Sequence, residues 1–327
     1  MIISRTPLRM SFVGGGSDLP AFYRRFGGAV VSTAIDKYVY VTVNPKFDHR
    51  IRVSYSKTEE VETVARIKHP LVRESMKLLG LDGGIEITSI ADIPSRGTGL
   101  GSSSSFTVGL LNALHAYSGR HASADQLARE SCQIEIEKCG DPIGRQDQYA
   151  AAFGGLNFIQ FRPDDSVTVD PIVCKRETLA RLQENIIVFY TGITRSAGGI
   201  LKSQQDAVAS QRSKQNALKK MVALAHDLRS ALQKNDVEAF GELLHENWEL
   251  KRSIVDSISS SQIDDWYAAA RKAGATGGKL LGAGSGGFLM FYAPRERHEA
   301  IAAALGKLRR VEMRFEPQGS KILFVHH

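Results

Sequence analysis

The sequence predicts an α+β protein of two domains, and three observations predict it. Up to about Cys174, short β-branched or alternating runs are interleaved with helical patches. From residue 198 to 257 the chain turns strongly helical, and beyond that strands and helices alternate again. The change of texture between residues 176 and 183 sets the boundary, giving domains over residues 1–178 and 179–327. With 327 residues, 43% of them hydrophobic and 24% charged, the chain has the composition of a globular protein with a full core.

In order, strands are expected at 29–35, 38–43, 51–55, 84–90, 156–161 and 166–173, where β-branched and aromatic residues recur with period two or in short runs. Residues 106–117 are apolar nearly all round and read as a buried helix. Ser123-Ala124-Asp125-Gln126 has the form of a capping box and opens a helix to Cys139. One buried-looking strand at 186–190 precedes the Ala-, Leu-, Lys-, Gln- and Glu-rich helical stretch. A helix at 262–272, a strand at 287–292, a helix at 295–308 and strands at 311–315 and 321–325 complete the chain.

Composition narrows the function. Three cysteines, Cys132, Cys139 and Cys174, form neither a C-x-x-C pair nor an even set, which suits a reducing compartment and a cytoplasmic protein. The first residues lack the apolar core of a signal peptide, and no apolar run nears the ~20 residues that span a bilayer, so no membrane partner is expected. The net charge of +7 comes from scattered cations without a run of five, which argues against nucleic acid and suits phosphorylated ligands. A homodimer is compatible with the chain.

Five segments carry chemistry. Pro94-Ser95-Arg96-Gly97-Thr98-Gly99-Leu100-Gly101-Ser102-Ser103-Ser104-Ser105 runs straight into the buried helix. Free amides at a helix start, glycines that admit an anion closely and hydroxyls that meet a cation suit a phosphate chain with its metal. The loop is not a Walker A motif, since Gly278-Lys279 is followed by Leu280 and Ala273 stands where the first glycine should. Nor is there a G-x-G-x-x-G after a strand with an acidic residue about 20 positions on. Simple capping by serine would need one serine and none of the three glycines.

On a wheel of ~100° per residue, Ala124, Leu127, Ala128, Ser131 and Glu135 share the inward arc of their helix. A carboxylate there is costly unless it binds a cation or pairs, and Lys138 on the same arc is the plain alternative partner. Glu137 falls outside the arc as a surface charge. Gly140-Asp141-Pro142-Ile143-Gly144-Arg145 stops that helix and places Asp147 at a loop or helix start, where it is either functional or a simple N-cap. Near the N-terminus a strand containing Arg9 runs into Gly14-Gly15-Gly16-Ser17-Asp18, a backbone that can approach a polyhydroxy ligand with Asp18 as acceptor. A last glycine-rich loop, Gly277-Gly278-Lys279-Leu280-Leu281-Gly282-Ala283-Gly284-Ser285-Gly286-Gly287, precedes a strand.

The N-terminal Arg9 to Asp18 segment, the Gly99-Leu100-Gly101-Ser102-Ser103 loop and the Lys279 to Gly287 loop stand in the order found in the GHMP kinases, and the chain resembles that superfamily over almost its whole length. Gly14-Gly15-Gly16-Ser17-Asp18, Gln146-Asp147-Gln148-Tyr149 and Thr191-Gly192-Ile193-Thr194-Arg195 look most like the branch that phosphorylates the anomeric hydroxyl of a heptose 7-phosphate. The resemblance implies a two-domain GHMP kinase fold, with a ribosomal-S5-like α+β N-terminal domain, a ferredoxin-like C-terminal domain and the active site in the cleft between them. It implies ATP as co-substrate, held by Gly97, Gly99, Leu100, Gly101, Ser102, Ser103 and Ser104, and Mg²⁺ held by Ser103 and Glu135. Asp147 matches the catalytic Asp, with one extra residue between it and Gly144 compared with mevalonate kinases, and Arg9 matches the basic residue at the reacting oxygen. Gly15, Gly16, Ser17, Asp18, Gly144, Arg145 and Arg195 are the substrate candidates, with Arg24 and Lys37 further candidates for a substrate phosphate. Gly15 and Gly16 stand where galactokinases carry Glu and His, which argues against galactose. Rival readings are a fucose-type sugar 1-kinase, an ATP-dependent decarboxylase and a catalytically dead sugar sensor.

Overall fold

The structure is a computed structural model that describes residues 1–93, 97–193 and 197–326. The N-terminal half runs β1 (Ile2–Val13), α1 (Pro20–Phe26), β2 (Gly28–Pro45), β3 (Ile51–Ser54), β4 (Thr58–Val61), α2 (Pro70–Leu79), β5 (Ile85–Ala91), α3 (Ser102–Tyr117), α4 (Ala124–Cys132), α5 (Gln146–Phe153), β6 (Leu156–Phe161) and β7 (Val167–Pro171). After α6 (Arg176–Glu184) come β8 (Ile186–Tyr190), α7 (Ala197–Ser210), α8 (Arg212–Gln233), α9 (Ala239–Arg252), α10 (Ser261–Lys272), β9 (Gly277–Leu280), β10 (Phe288–Tyr292), α11 (His298–Leu305), β11 (Arg309–Arg310) and β12 (Lys321–Val325).

The strands form two sheets. The larger has the order β12-β1-β2-β5-β3-β4, with β6 on the first part of β2 and β7 beyond it; the smaller has the order β11-β8-β10-β9 and is antiparallel throughout. The two strands expected at 29–35 and 38–43 are one long strand, β2, whose first part pairs with β6 and whose second part pairs with β5. The strand expected at 311–315 does not form; the chain there makes only the short β11 and an isolated bridge from Phe315 to Ile35. The helix expected at 295–308 is a single 3₁₀ turn, Arg295–Arg297, followed by α11, which ends at Leu305 before Gly306. The glycine-rich segment before β10 itself supplies β9.

Two features place the cleft. α3 packs on β1 and β2, which explains its apolar circumference, and α9 packs on both β9 and β1, tying the two sheets together. The expected break after residue 178 falls inside α6, and β12 crosses back to pair with β1. One hydrophobic core accordingly runs through both halves: Phe12 of β1 meets Phe240 of α9 edge-on at 5.1 Å and Phe315 at 6.2 Å. Phe12 is fully buried. Phe12→Ala should therefore cost about 3–5 kcal/mol, read as a lower denaturant midpoint in which probes in both halves shift together.

Candidate functional site

Arg9 sits mid-way along β1 with its amide donating to the carbonyl of Leu100 at 3.0 Å, so strand and loop are joined by backbone before any side chain acts. Its guanidinium, 4% exposed, donates through Nε to Asp147 Oδ1 and through Nη2 to Asp147 Oδ2, both at 2.8 Å, and through Nη1 to the Gly99 carbonyl at 2.7 Å. This is the two-pronged geometry that a planar guanidinium offers a carboxylate. Asp147 lies in the first turn of α5, whose N-cap is Arg145, so it is not the capping residue.

Gly101 caps α3 in a left-handed conformation, φ 78°, without any side-chain cap, and leaves the first amides of the helix directed at the cleft. The four serines that follow have separate places. Ser102 is buried beside Thr98, Ser103 is exposed to the cleft, Ser104 is buried, and Ser105 donates to the Pro7 carbonyl, fastening α3 to β1. Gly99 and Gly282 face each other: a Cβ on Gly99 would fall 2.2 Å from the Leu281 carbonyl oxygen, and one on Gly282 would fall 2.3 Å from the Gly99 Cα. The two glycine loops thus touch backbone to backbone, and Leu281 and Gly282 line the cleft opposite α3. Pro94, Ser95 and Arg96 lie outside the described residues.

Glu135 is wholly buried, as the wheel predicts, but on a π-helical turn, Gln133–Lys138, rather than on a continuous α-helix. Lys138 is exposed, and the partners of the buried Glu135 are other residues. The carboxylate is met by Ser103 Oγ at 2.9 Å and Gln148 Nε2 at 2.5 Å. Burial pushes its pKa from 4.5 up to about 7, against the hydrogen bonds from Gln148, Ser104 and Ser103, with the negative charge of Asp147 adding to the rise. Among the described residues no three His, Cys, Asp or Glu side chains gather into a metal site. One buried carboxylate lacking a cation, next to an exposed hydroxyl, fits Mg²⁺, which keeps several waters and takes most remaining ligands from phosphate oxygens.

Asp18 is 2% exposed and accepts from the amides of Gly16 at 2.8 Å and Gln146 at 3.2 Å and from Gln146 Nε2 at 3.2 Å. Burial, and then the charge of Asp147, raise its pKa. It lines the cleft and clamps the first glycine loop to the start of α5. A Cβ on Gly144 would lie 1.9 Å from Asp18 Oδ2, so glycine is needed there for that clamp. Gly16 and Gly144 line the cleft, whereas Ser17 turns away, its hydroxyl exchanging hydrogen bonds with Ala29.

The other cations expected near a substrate are engaged elsewhere. Arg145 donates to the Asp165 carbonyl at 2.9 Å and lies over the Tyr23 ring, Arg24 pairs with Asp165 at 3.0 Å, and Lys37 pairs with Asp36 at 2.9 Å. Arg195 lies outside the described residues. Sequence reasoning missed Gln148, which holds Glu135, and two lysines. Lys279 is 1% exposed and donates to the carbonyls of Ser11 at 2.8 Å and Phe12 at 2.9 Å. Lys251, 4% exposed at the end of α9, lines the cleft beside Gly15.

Residues 63–155 match the GHMP kinases N terminal domain, and residues 228–309 match the GHMP kinases C terminal domain. The chain belongs to the GHMP kinases. Its fold is the two-domain GHMP kinase fold. This GHMP kinase is 29% identical to the D-glycero-alpha-D-manno-heptose 7-phosphate kinase of Campylobacter jejuni, over 92% of each chain. It is 27% identical to the L-fucokinase/L-fucose-1-P guanylyltransferase of Bacteroides fragilis, over 90% of this chain and 34% of that longer protein. A crystal structure of a D-glycero-D-manno-heptose 1-phosphate kinase from Bacteroides thetaiotaomicron superposes with a TM-score of 0.82 at 26% identity, covering 100% of both chains. Among the described residues no helix is long and apolar enough to cross a membrane.

The buried carboxylate has a measurable consequence. With its pKa raised from 4.5 to about 7, Glu135 in the folded protein holds a proton that the unfolded chain releases, so it favours folding below pH 4.5 and this advantage fades as pH rises through 7. Metal-free wild type should therefore lose melting temperature between pH 5 and pH ~7.5 relative to Glu135→Gln. Adding Mg²⁺ with ATP should raise the melting temperature of the wild type more than that of the variant.

Proposed function

We propose that this protein is an ATP- and Mg²⁺-dependent sugar kinase that phosphorylates the anomeric C1 hydroxyl of D-glycero-D-manno-heptose 7-phosphate, supplying the 1,7-bisphosphate for GDP-heptose synthesis in the cytoplasm. The observation that carries the reading is the Arg9–Asp147 pair, set against the start of α3 on one side and the Gly16–Asp18 loop on the other. A phosphoryl transfer needs its donor, its base and its acceptor within one such space. Residues 1–178 would supply the base and nucleotide loop, and residues 179–327 the opposing wall.

Each residue then has a task. The amides and hydroxyls from Gly97 to Ser104 hold the triphosphate, aided by the positive potential of the helix start. Ser103 and Glu135 would hold Mg²⁺, which when bound neutralises charge on the outer phosphates. Asp147 takes the proton of the anomeric hydroxyl, which is more acidic than an ordinary alcohol and so needs only a modest base. Arg9 keeps both carboxylate oxygens of Asp147 oriented. Asp18 and the backbone of Gly15 and Gly16 meet the sugar hydroxyls, with Gly144 beside them.

The names of the two heptose relatives place the existing phosphate differently, on C7 in one and on C1 in the other. Only the 7-phosphate leaves an anomeric hydroxyl to react, so the two isomers separate the readings. A panel of free sugars and sugar phosphates with ATP and Mg²⁺, read by phosphorus NMR, should give an anomeric phosphate from the heptose 7-phosphate. Turnover of L-fucose alone would favour the fucose-type enzyme, transfer to a non-anomeric hydroxyl would remove the 1-kinase assignment, and no ADP release from any sugar would remove the kinase. Asp147→Asn should lower kcat by about 100-fold or more with Mg·ATP affinity kept within about threefold, measured by calorimetry.

A further inference from the structure

Among the described residues, Lys251 is the one cation lining the cleft for which the GHMP pattern supplies no task. On α9 the residues Phe240, Leu244 and Trp248 bury one face, and Lys251 follows on the same face at 4% exposure. An ammonium carries three donors, and burying it without partners is costly. Among the described residues its polar contact is a single carbonyl, that of Gly15, at 3.5 Å, the outer limit of a hydrogen bond. The charges that face it are Asp18 and Asp147, which favour its protonated form, and Arg9 and Lys279, which oppose it.

The cations available to a ligand can be counted. Among the described residues that line the cleft they are Arg9 and Lys251. Arg9 has all three of its nitrogens engaged, two on Asp147 and one on the Gly99 carbonyl. Lys279 stands behind, bonded to two strand carbonyls. The ammonium left to meet new negative charge between the acceptor loop and Asp147 is that of Lys251.

We propose that Lys251 is a catalytic cation of the transfer step, its ammonium touching the phosphoryl group as that group passes from ATP to the acceptor, while Arg9 serves to position Asp147. The proposal rests on the kinase reading above. In the step, the bond between the γ-phosphorus and the oxygen bridging to ADP breaks, and ADP leaves with the electron pair. A bond forms from phosphorus to the acceptor oxygen, whose proton goes to Asp147. Lys251 keeps its proton throughout and balances the charge on the phosphoryl oxygens. Burial lowers its pKa from 10.5 to about 8, so the cation is present at neutral pH and is lost as pH rises through 8.

The test uses Lys251→Met and Lys251→Arg in the full chain, with two independent readouts. The first is turnover and its pH profile with the sugar that the panel identifies. The second is calorimetric affinity for Mg·ADP with and without aluminium fluoride, which mimics the phosphoryl group in transfer and needs no sugar. Lys251→Met should lower kcat by about 100-fold or more and weaken the fluoride complex by about tenfold or more, with Mg·ADP alone kept within about twofold. Its melting temperature should hold or rise, because a buried cation without a close partner has been removed. Wild-type rate should fall above pH 8, and Lys251→Arg should restore part of the lost turnover with that fall abolished. An unchanged kcat and fluoride affinity in Lys251→Met, or an equal loss with and without fluoride accompanied by a lower melting temperature, would overturn the proposal. So would a wild type that gains no affinity from aluminium fluoride. If no sugar in the panel is phosphorylated, the substrate reading fails separately and the fluoride measurement decides Lys251.

Discussion

The rest of the site depends on one charge-assisted interaction, the two-pronged bond between Arg9 and Asp147. Through it a single side chain from the middle of β1 reaches the first turn of α5, and through Nη1 it also holds the Gly99 carbonyl of the glycine–serine loop. Three segments far apart in sequence are therefore fixed relative to one another at the point where, in the proposed reaction, donor and acceptor would meet. With Arg9 only 4% exposed, removing Asp147 would strand the guanidinium away from water, a larger loss than at a surface pair. A lysine could carry the charge at position 9 but not the planar fork that orients both carboxylate oxygens while reaching Gly99.

Around that pair the molecule spends its glycines and buried polar groups on rigidity. Gly99 and Gly282 let the two loops meet without side chains between them. Asp18 and Gly144 close the acceptor side in the same manner, one carboxylate holding the amides of Gly16 and Gln146. A core shared by β1, α8 and α9 supports both walls of the cleft. Preorganised charge of this kind is what phosphoryl transfer requires, since a loose, highly charged transition state leaves the protein little to do except position and neutralise.

Much of this was legible in the sequence, and the failures have identifiable causes. The glycine–serine run announced the loop because simple capping does not call for three glycines and four serines before an apolar helix, and the wheel found Glu135 because a carboxylate stood on the inward arc. The same wheel applied to α9 singles out Lys251 after Phe240, Leu244 and Trp248, a signal that helix propensity alone does not carry. Lys138 was a reasonable partner for Glu135 on a regular helix, but a π-helical turn is not visible to a fixed 100° step. Arg145 and Arg24 were weighed by their nearness to motifs, whereas Asp165, brought in by the β6–β7 hairpin, claims both. Gln148 and the absent strand at 311–315 depend on contacts between distant segments, which no local pattern encodes.

The central claim is that Arg9 and Asp147 act as one unit in the transfer step. A double-mutant cycle with Arg9→Met, Asp147→Asn and the combined variant, scored on kcat with Mg·ATP and the preferred sugar phosphate, tests it most directly. A unit predicts strong non-additivity: once either residue is replaced, replacing the other should change kcat by less than about threefold. If instead the two losses multiply, each residue contributes separately, and the pair seen in the structure is not the working element of the site.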